Sequence, residues 1–400
     1  MGRAGLGSVP VGIARVSSHM EAVRNRPPPA KGPARHRWWI AAVAPALLLG
    51  GCSIGSVPDS VPVQDRSLAL HGALGYVVCA TTVSPVELAT GTAEAPIPLP
   101  IGGTPPLGSY AITASPDGRT AYVVTRTAPP SGSARDVVVP VDLATQRARR
   151  AIVLPGHGGT HAVVVMHDGR TVLAASGTTI VPVSTSTGAV GTPLDLGPGK
   201  TVFGMALSPN SSMLYALVPG AVVPVDTATA TAGPEIVTGL DVSSVSSPHG
   251  LVVTSDGATL YVVGQGGTDF GGRLLPIAIA SRTLGTVTGF DRFGIGAPSA
   301  VALTTDGSTV LVPDIANNWI VPVPVANLGS PSPPVRLPVG TGTAGTGTGH
   351  PSDIVVGPGT VGAFVVTGLD TVLPFTPATG LFGRPIRVCP GASSMAVASA

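Results

Sequence analysis

The sequence predicts an all-β fold, and three observations support this prediction. Glycine (54 residues) and proline (42 residues) make up about a quarter of the chain, without the every-third-glycine period of collagen. Between these turn-forming residues, Val, Thr and Ala alternate in short runs that are typical of strands. The same short pattern then recurs along the chain at intervals of 42 to 55 residues. Many short strands in a repeating unit therefore account for most of the sequence.

The first part of the repeat is a strand, an Asp-Gly turn and a second strand. Its clearest copy spans residues 109–124, with Asp117 and Gly118 at the turn. Asp-Gly between two alternating apolar runs is a strong hairpin signal, because Gly tolerates positive φ and Asp bonds its own backbone. The aspartates of these turns are therefore interpreted as structural. Further copies have their turns at Asp168-Gly169, Asp256-Gly257 and Asp306-Gly307, and weaker ones at Asn210-Ser211 and Pro358-Gly359.

The second part of the repeat is a third strand with a proline between apolar residues, most often Val-Pro-Val. The prolines are Pro85, Pro140, Pro182, Pro224, Pro276, Pro322 and Pro374. Their spacings of 55, 42, 42, 52, 46 and 52 residues fit a four-stranded propeller blade. Because proline has no N–H, we expect the fourth, outermost strand to be short or absent opposite it, with residues 151–154 and 335–339 as candidates. The sequence thus predicts a single seven-bladed β-propeller.

The two ends of the repeat array complement each other. The first blade begins at residue 71 without an innermost strand, and residues 393–400 form a lone first strand with no hairpin after it. Laid on the second blade, the two pieces leave nothing missing or duplicated. We therefore predict that the C-terminal strand pairs with the N-terminal blade and closes the ring.

The segment before the propeller has the parts of an export signal. Seven basic residues and one acidic residue precede Cys52, and an apolar run over residues 38–49 leads to Leu49-Gly50-Gly51-Cys52, which resembles a bacterial lipobox. The apolar run is too short to span a bilayer comfortably. A plain secretory signal with an incidental cysteine is the alternative, and translation could start at Met1 or Met20. We expect an exported protein that faces outside the cytoplasm, anchored to the membrane by a lipid on Cys52, with residues 1–51 as signal, 52–70 as tether and 71–400 as propeller.

Charge outside the signal excludes one large class of partner. From Cys52 onward the chain has 15 basic and 19 acidic residues, and it carries no basic stripe with interleaved aromatic residues. Nucleic-acid binding is therefore not expected. The two remaining cysteines, Cys79 and Cys389, end strands on the same face of the first and last blades, so an exported protein can form a disulfide there; two buried free thiols are the alternative.

The repeat also resembles a known family. The hairpin and third-strand blocks are similar to YVTN-type seven-bladed propeller repeats over residues 71–400. The residues that carry the resemblance are Pro116-Asp117-Gly118-Arg119-Thr120-Ala121-Tyr122-Val123-Val124 and Val222-Val223-Pro224-Val225-Asp226-Thr227-Ala228-Thr229. The resemblance implies the fold but no single function, because the family includes surface proteins, lipoproteins and lactonase-like relatives.

Candidate functional residues fall at one end of the predicted channel, where the first strands of the blades begin. We call this end the channel mouth. Its candidates are Tyr110, His161, Phe203 and His249, which align in one column with Ser299, Ser352 and Ser394, together with His350 two residues upstream of that column and Asp353 one residue inside it. Histidines and a carboxylate at one mouth can bind a ligand or a metal, or act as acid and base. Against a shared site, blades three, five and seven are not adjacent, and no His-x-His or Cys-x-x-Cys spacing indicates a metal cage.

The sequence favours a binding role over catalysis. It has no nucleophile-elbow motif, and the glycine-rich stretch 340–349 precedes no helix that would cradle a phosphate. We expect no cofactor, no bound metal and a monomeric binding scaffold for a protein, glycan or small ligand. The alternative is a lactonase- or lyase-like enzyme with its site at the channel mouth, using His161, His249, His350 or Asp353.

Overall fold

The computed structural model describes residues 73–102, 110–127, 133–156, 158–159, 162–243, 245, 249–266, 270–338, 349–357 and 362–398. In these ranges the chain forms 34 strands, numbered β1 to β34 in chain order, and two 3-10 turns at Asp291–Phe293 and Val325–Asn327. The strands make seven separate antiparallel sheets, which confirms the seven-bladed β-propeller. The predicted signal and tether lie outside the described residues.

Each sheet starts with an inner strand beside the axis of the ring. The inner strands are β5 (Ala111–Ala114), β10 (Val163–Val165), β14 (Gly204–Leu207), β20 (Leu251–Val253), β25 (Ala302–Leu303), β29 (Pro351–Val356) and β34 (Ser394–Ala398). Each of these strands contacts the next, and β29 is followed by β34 and β34 by β5. The inner strands therefore form a closed wall around the channel.

The second and third strands of each blade form its centre. The second strands are β1 (Leu74–Val78), β6 (Thr120–Arg126), β11 (Thr171–Ser176), β15 (Met213–Val218), β21 (Thr259–Gly266), β26 (Thr309–Asp314) and β30 (Ala363–Thr367). The third strands are β2 (Thr82–Glu87), β7 (Asp136–Asp142), β12 (Thr179–Ser184), β16 (Ala221–Asp226), β22 (Gly272–Ala278), β27 (Trp319–Pro324) and β31 (Thr371–Thr376). Blade five has an additional short strand, β19 (Leu240–Asp241), which pairs with β21 beyond the end of β20.

The Asp-Gly turns between first and second strands have the structural role that the sequence predicts. In blade two, Asp117 Oδ1 accepts hydrogen bonds from the Ser115 hydroxyl at 2.6 Å and the Arg119 N–H at 3.1 Å. Gly118 has a φ of 65°, which a residue with a side chain adopts only with strain. The same bonds recur at Asp256 and Asp306, so these carboxylates hold turns.

In five of the seven blades the outermost strand is divided into two pieces, one on each side of the proline in the third strand, whereas the described residues of blades three and six form one outer strand each. In blade two, β8 (Arg147–Ala148) pairs with Val141 and Asp142, and β9 (Ile152–Val153) pairs with Val137 and Val138. Pro140 lies between them and accepts one hydrogen bond from the Arg149 N–H through its carbonyl. The other outer pieces are β3 (Thr92–Ala93), β4 (Ile97–Pro98), β13 (Leu194–Asp195), β17 (Thr231–Ala232), β18 (Ile236–Val237), β23 (Thr283–Leu284), β24 (Thr288–Gly289), β28 (Val335–Arg336), β32 (Leu381–Phe382) and β33 (Ile386–Arg387).

The ring closes as predicted, through strands from the two ends of the described chain. β34 pairs antiparallel with β1, with Leu74 opposite Ala398 and Val78 opposite Ser394. The same β1 pairs on its other edge with β2, so the first blade combines residues that are more than 300 positions apart. Outside this closure, each sheet consists of strands that are close in sequence.

The core lies between blades, because each sheet packs on its neighbours through both faces. Along β15, Leu214 and Ala216 pack with residues of blade three, and the alternate residues Tyr215 and Leu217 pack with residues of blade five. This follows from the period of two in a strand, which sends successive side chains to opposite faces. Full burial of a side chain such as Leu217 contributes roughly 1.5–3 kcal/mol. Within the described ranges, no helix has the length and hydropathy needed to cross a membrane.

Candidate functional site

The strongest candidate site at the channel mouth is a histidine–carboxylate pair, His249 and Asp353. His249 precedes β20 of blade five, and its carbonyl accepts a hydrogen bond from the Val301 N–H at 2.7 Å. The next residue, Gly250, allows this close approach, because a Cβ there would come within 2.6 Å of Val245 Cγ1 and 2.8 Å of Leu217 Cδ2. The backbone that carries His249 is thus fixed by contacts to Val245, to Leu217 of blade four and to Val301 of blade six.

Asp353 belongs to β29 of blade seven and is completely buried. A register irregularity between Pro351 and Asp353 in the pairing of β29 with β30 precedes it. Its Oδ1 accepts hydrogen bonds from the Ile354 N–H at 2.8 Å and from His249 Nδ1 at 2.9 Å, and its Oδ2 accepts one from the Met395 N–H at 3.1 Å. A buried carboxylate is tolerated only when it is bonded in this way. The carboxylate therefore accepts hydrogen bonds from protein groups through both of its oxygens, and the histidine is the member of the pair that is exposed to solvent.

The pair spans blade six, which separates blades five and seven. Blade six makes room because its residues at the mouth are small: Ser299 and Ala300 are fully buried, and its inner strand β25 has two residues. Ser299 also ties blade six to blade seven, since its hydroxyl donates to the Pro351 carbonyl at 2.8 Å. Blades five and seven are not adjacent, yet His249 and Asp353 are in direct contact.

The electrostatics of the pair follow from its geometry. Burial is the largest single influence on the pKa of His249 and lowers it, because it disfavours the charged imidazolium. The negative charge of Asp353 and its hydrogen bond to Nδ1 together outweigh burial, so the pKa of His249 lies above its ordinary value of 6.5. The side chain of His249 keeps 36% of its surface exposed. The mouth thus presents a histidine that is protonated more readily than a free one.

The two aromatic candidates belong to the packing between blades. Tyr110 is 4% exposed and packs with the core shared by the closing strand and blade two, where burial raises its pKa to about 12. Phe203 is half-buried against the core that includes Leu217, whose carbonyl accepts its backbone N–H at 2.9 Å. Neither ring is part of the His249–Asp353 pair, and both stabilise the wall from which the pair projects.

The other two histidine candidates at the channel mouth are His350 and His161. His350 is exposed, and its ring lies over Gly368, at which a Cβ would come within 2.5 Å of His350 Cε1. This contact is with the end of β30 and not with the His249 ring. His161 lies outside the described residues, as does Cys52.

Cys79 and Cys389 form a disulfide with a Cα–Cα separation of 6.0 Å. Cys79 directly follows β1 of the first blade, and Cys389 follows β33 of the last blade, just before the closing strand. Both residues are buried. The disulfide therefore joins the blades on either side of the seam where the ring closes.

The sequence did not predict the following two groups of interacting side chains. His167 Nδ1 lies 2.6 Å from the Ser211 hydroxyl, which joins the turns of blades three and four; Ser211 has a φ of 56° where other turns have glycine. The buried Asp136 pairs with Arg126 Nε at 3.0 Å and accepts the Ser176 hydroxyl at 2.6 Å. A polar residue at a glycine position was the available signal for Ser211. The sequence carries no comparable signal for Asp136, because its partners Arg126 and Ser176 come from different strands.

The arrangement does not form a metal cage from the parts that the structure describes. No group of three or more His, Cys, Asp and Glu side chains lies together there. Asp353 uses both carboxylate oxygens for protein donors, which leaves it poorly suited to ligate a cation. The chemistry supported by the pair is hydrogen bonding, or proton transfer, through the imidazole.

Comparisons with known proteins support the fold. No family profile and no curated protein sequence matches the chain. A periplasmic gluconolactonase of Pseudomonas aeruginosa is similar in structure, with a TM-score of 0.58, 18% identity and coverage of 82% of this chain and 99% of that one. A functionally unknown protein from Desulfotomaculum acetoxidans has a TM-score of 0.60, 14% identity and coverage of 81% and 98%.

A putative 6-phosphogluconolactonase from Bacteroides fragilis has a TM-score of 0.57, 14% identity and coverage of 83% and 99%. At these identities the similarities concern the arrangement of the backbone, and the side chains of the site differ freely between such proteins. The chain is a seven-bladed β-propeller that spans nearly the full length of these three proteins.

Proposed function

We propose that this chain is an exported, membrane-anchored binding protein whose propeller holds a ligand at the channel mouth. The observation that carries the binding role is the His249–Asp353 pair, in which a fully buried carboxylate orients a partly exposed imidazole. A pair that only stabilised the ring would not need to leave 36% of the imidazole in solvent. Polar groups that project from an otherwise apolar wall are the usual means of orienting a bound molecule.

The anchor rests on the sequence before the propeller. Basic residues, an apolar run and Leu49-Gly50-Gly51-Cys52 follow one another in the order of a lipoprotein signal. A lipid on Cys52, with residues 53–70 as tether, would hold the propeller at the outer side of the membrane.

Two experiments test the two halves of the proposal separately. Mass spectrometry of the membrane fraction is expected to find lipid on Cys52, and Cys52→Ser is expected to release the protein. Unmodified Cys52 in membrane-bound protein would contradict the anchor.

For the binding role, we expect compounds that raise the melting temperature of the wild-type domain to lose this effect in His249→Gln. Gln retains an N–H donor for the buried carboxylate of Asp353 but cannot carry the charge. The control is Arg150→Gln, which removes an exposed cation between β8 and β9 at the outer edge of blade two, outside the pair. Ligands that stabilise both variants as well as wild type would place the binding site elsewhere.

A second candidate function, lactone hydrolysis, is favoured by one feature of the same pair. A histidine whose Nδ1 is held by a carboxylate is the usual arrangement of a general base, and the three similar structures include a gluconolactonase and a putative 6-phosphogluconolactonase. Binding is preferred because no group of three or more His, Cys, Asp and Glu side chains lies together among the described residues, so the pair has no second acid or base beside it there.

The enzyme alternative has a direct assay. Hydrolysis of D-glucono-1,5-lactone, followed by acid release, should fall about 100-fold or more in His249→Ala if the pair supplies the base. Wild-type protein that does not exceed the spontaneous rate would exclude this lactone as substrate and leave the binding role as proposed.

A further inference from the structure

Three features of the molecule lie outside the scaffold that holds the blades together: the mouth pair, a groove beside the disulfide lined by Glu94 and Arg387, and the His167–Ser211 contact. The groove is open, and Arg387 faces Asp370 at 3.7 Å. Ser211 is only 5% exposed and accepts the His167 backbone N–H, so its hydroxyl is already used. The His249–Asp353 pair is the feature from which the chemical class of a ligand can be inferred.

We infer that His249, oriented by Asp353, is the recognition point for an anionic oxygen group, a carboxylate or a phosphate, on a small ligand at the channel mouth. This inference rests on the proposed function and specifies the ligand for it. Three properties of the pair support the inference. They are the burial and hydrogen bonding of the carboxylate, the orientation of the imidazole, and the charges on the surrounding strands.

The carboxylate of Asp353 is not available to a ligand. It has no exposed surface, and its oxygens accept from Ile354, Met395 and His249. A cationic ligand at this pair would therefore meet the imidazole and not the carboxylate. This arrangement disfavours ammonium groups and metal ions.

The imidazole is oriented with its Nδ1 side toward the carboxylate. Since Oδ1 of Asp353 also accepts the Ile354 N–H, it acts as an acceptor, and Nδ1 of His249 carries the proton between them. The opposite edge of the ring holds Nε2, and protonation of the ring makes this atom a donor as well. A charged donor binds an anionic oxygen about twice as strongly as a neutral one.

Charges on the elements packed around His249 favour its protonation. The segment 249–253 and the residues 296–303 of blade six contain no other titratable group, and neither does the closing strand β34. On β29, Asp353 is the titratable residue, and its charge and hydrogen bond raise the pKa of His249 against the effect of burial. We therefore expect the ring to be cationic below its raised pKa and to lose its charge as the pH rises through that value.

The experiment is a calorimetric titration of the folded domain with D-gluconate, inorganic phosphate and D-glucose at a series of pH values from 6.0 upward, with the pKa of the His249 ring measured by nitrogen-15 NMR. Gluconate keeps its charge over this range, so a change in its affinity reports on the protein. We expect gluconate or phosphate to bind at pH 6.0, gluconate binding to weaken roughly tenfold or more once the pH is well above the measured pKa of His249, and no binding of glucose. The preference between gluconate and phosphate identifies which anionic group the site accepts.

Variants separate a specific site from general charge attraction. His249→Gln should reduce anion affinity roughly 10- to 100-fold at pH 6.0 without unfolding the domain. Arg150→Gln, which removes an exposed cation at the outer edge of blade two, should leave it unchanged. Asp353→Asn should move the pH dependence of binding to lower pH, because the imidazole loses the charge that raises its pKa; nitrogen-15 NMR of the ring checks this shift directly, provided the variant folds.

The outcomes distinguish this inference from the proposed function. Glucose or another neutral compound that binds in a His249-dependent way, with no anion binding, would retain the binding protein and overturn its anionic ligand. Anion binding that does not change as the pH rises through the measured pKa of His249, or that is equal in His249→Gln, would also overturn the inference. Failure of neutral and anionic compounds alike to depend on His249 would count against the proposed function itself.

Discussion

At the scale of single residues, carboxylates perform two kinds of work in this propeller. Asp353 connects three blades, because it accepts from His249 of blade five, from its own blade seven, and from Met395 of the closing strand. Asp306 and the matching aspartates are exposed and bond only within their own turns. Burial and the origin of the partners therefore separate a carboxylate that organises a site from one that shapes a turn.

The turn aspartates should make stability depend on pH in the acid range. Hydrogen bonds from the Thr304 hydroxyl and then from the Ser308 N–H lower the pKa of Asp306 to about 2, from 3.8. A lowered folded-state pKa stabilises the fold above 3.8, and the contribution is lost as the pH falls toward 2. We expect Asp306→Asn to reduce the loss of melting temperature between pH 4 and pH 2, measured by circular dichroism.

The chain itself provides the control for this substitution. Asn210 already occupies the same place in blade four, where its Oδ1 accepts the Ser208 hydroxyl and the Ser212 N–H. Asp306→Asn should therefore fold normally at pH 7, and Asp306→Ala should be less stable because it removes the acceptor. An unchanged acid transition in Asp306→Asn would show that this turn does not contribute to it.

Residue-scale features were the hardest to predict from sequence. The aligned column at the channel mouth contained His249, and Asp353 lay one residue inside it, but their contact depends on how far blade six lets blades five and seven approach. That distance is set by the small residues Ser299 and Ala300, whose effect is visible only after the ring is assembled. Tyr110 and Phe203 belonged to the same column yet pack into the wall, because a strand period of two says which face a residue takes and not how deep it lies.

At the scale of elements, the proline of the third strand shapes the edge of the blade. Its carbonyl accepts one hydrogen bond from the outer segment, as in Pro276 with the Gly285 N–H at 2.8 Å, and its nitrogen has no hydrogen to donate. The outer strand therefore pairs before and after the proline, in pieces of two residues. The sequence predicted a short or missing outer strand; the two-piece arrangement was not foreseen, because each piece alone is too short to show a strand pattern.

Two matching glycines test how tightly the outer segment lies on the proline. A Cβ at Gly285 would lie 3.0 Å from Pro276 Cγ, whereas a Cβ at Gly233 in blade four would have its nearest neighbour, the Pro224 oxygen, at 3.5 Å. We expect Gly285→Ala to lower the free energy of unfolding by about 1 kcal/mol through overpacking. Gly233→Ala should be neutral or slightly stabilising, since alanine restricts the unfolded chain.

Urea denaturation of the two variants and the wild type measures this difference. Equal effects of the two substitutions would show that the outer segment moves away from the proline at little cost. In that case the outer segment of the blade would be more easily displaced than its contacts with the proline indicate.

At the scale of the whole molecule, the seam between the first and last blades has a covalent and a non-covalent link. β34 pairs with β1, and the Cys79–Cys389 disulfide joins positions 310 residues apart. A crosslink over so long a loop removes many conformations from the unfolded chain. The seven prolines and the complementary chain ends were enough to predict the number of blades and the closure, because both depend on repeats that are visible in the sequence.

Loss of the disulfide should weaken the ring without abolishing it. We expect the double variant Cys79→Ser, Cys389→Ser to lose about 2–4 kcal/mol of unfolding free energy, the usual range for such a bond. Its melting temperature should not respond to reducing agent, whereas that of the wild type should fall. A wild-type domain that is equally stable with and without reductant would contradict a stabilising role.

Removal of the closing strand should be more severe. A chain that ends before Ser393 leaves β1 with an unpaired edge, and without Met395 it exposes the core around Val77. We expect broad, non-cooperative unfolding in calorimetry, in contrast to a single sharp transition for the full chain. An unchanged transition would show that the ring does not depend on β34.

The pairing of β1 with β34 also determines the order in which the molecule folds. Blades two to seven consist of strands that are close in sequence, so each can form soon after its own residues are made. The first blade is different, because residues 74–78 must wait for residues 394–398. The first blade is thus completed after all the others, and during this interval β1 has an open edge that can pair with any extended chain nearby. A factor that protects newly made propellers of this kind would have to cover the first blade and not the most recent one.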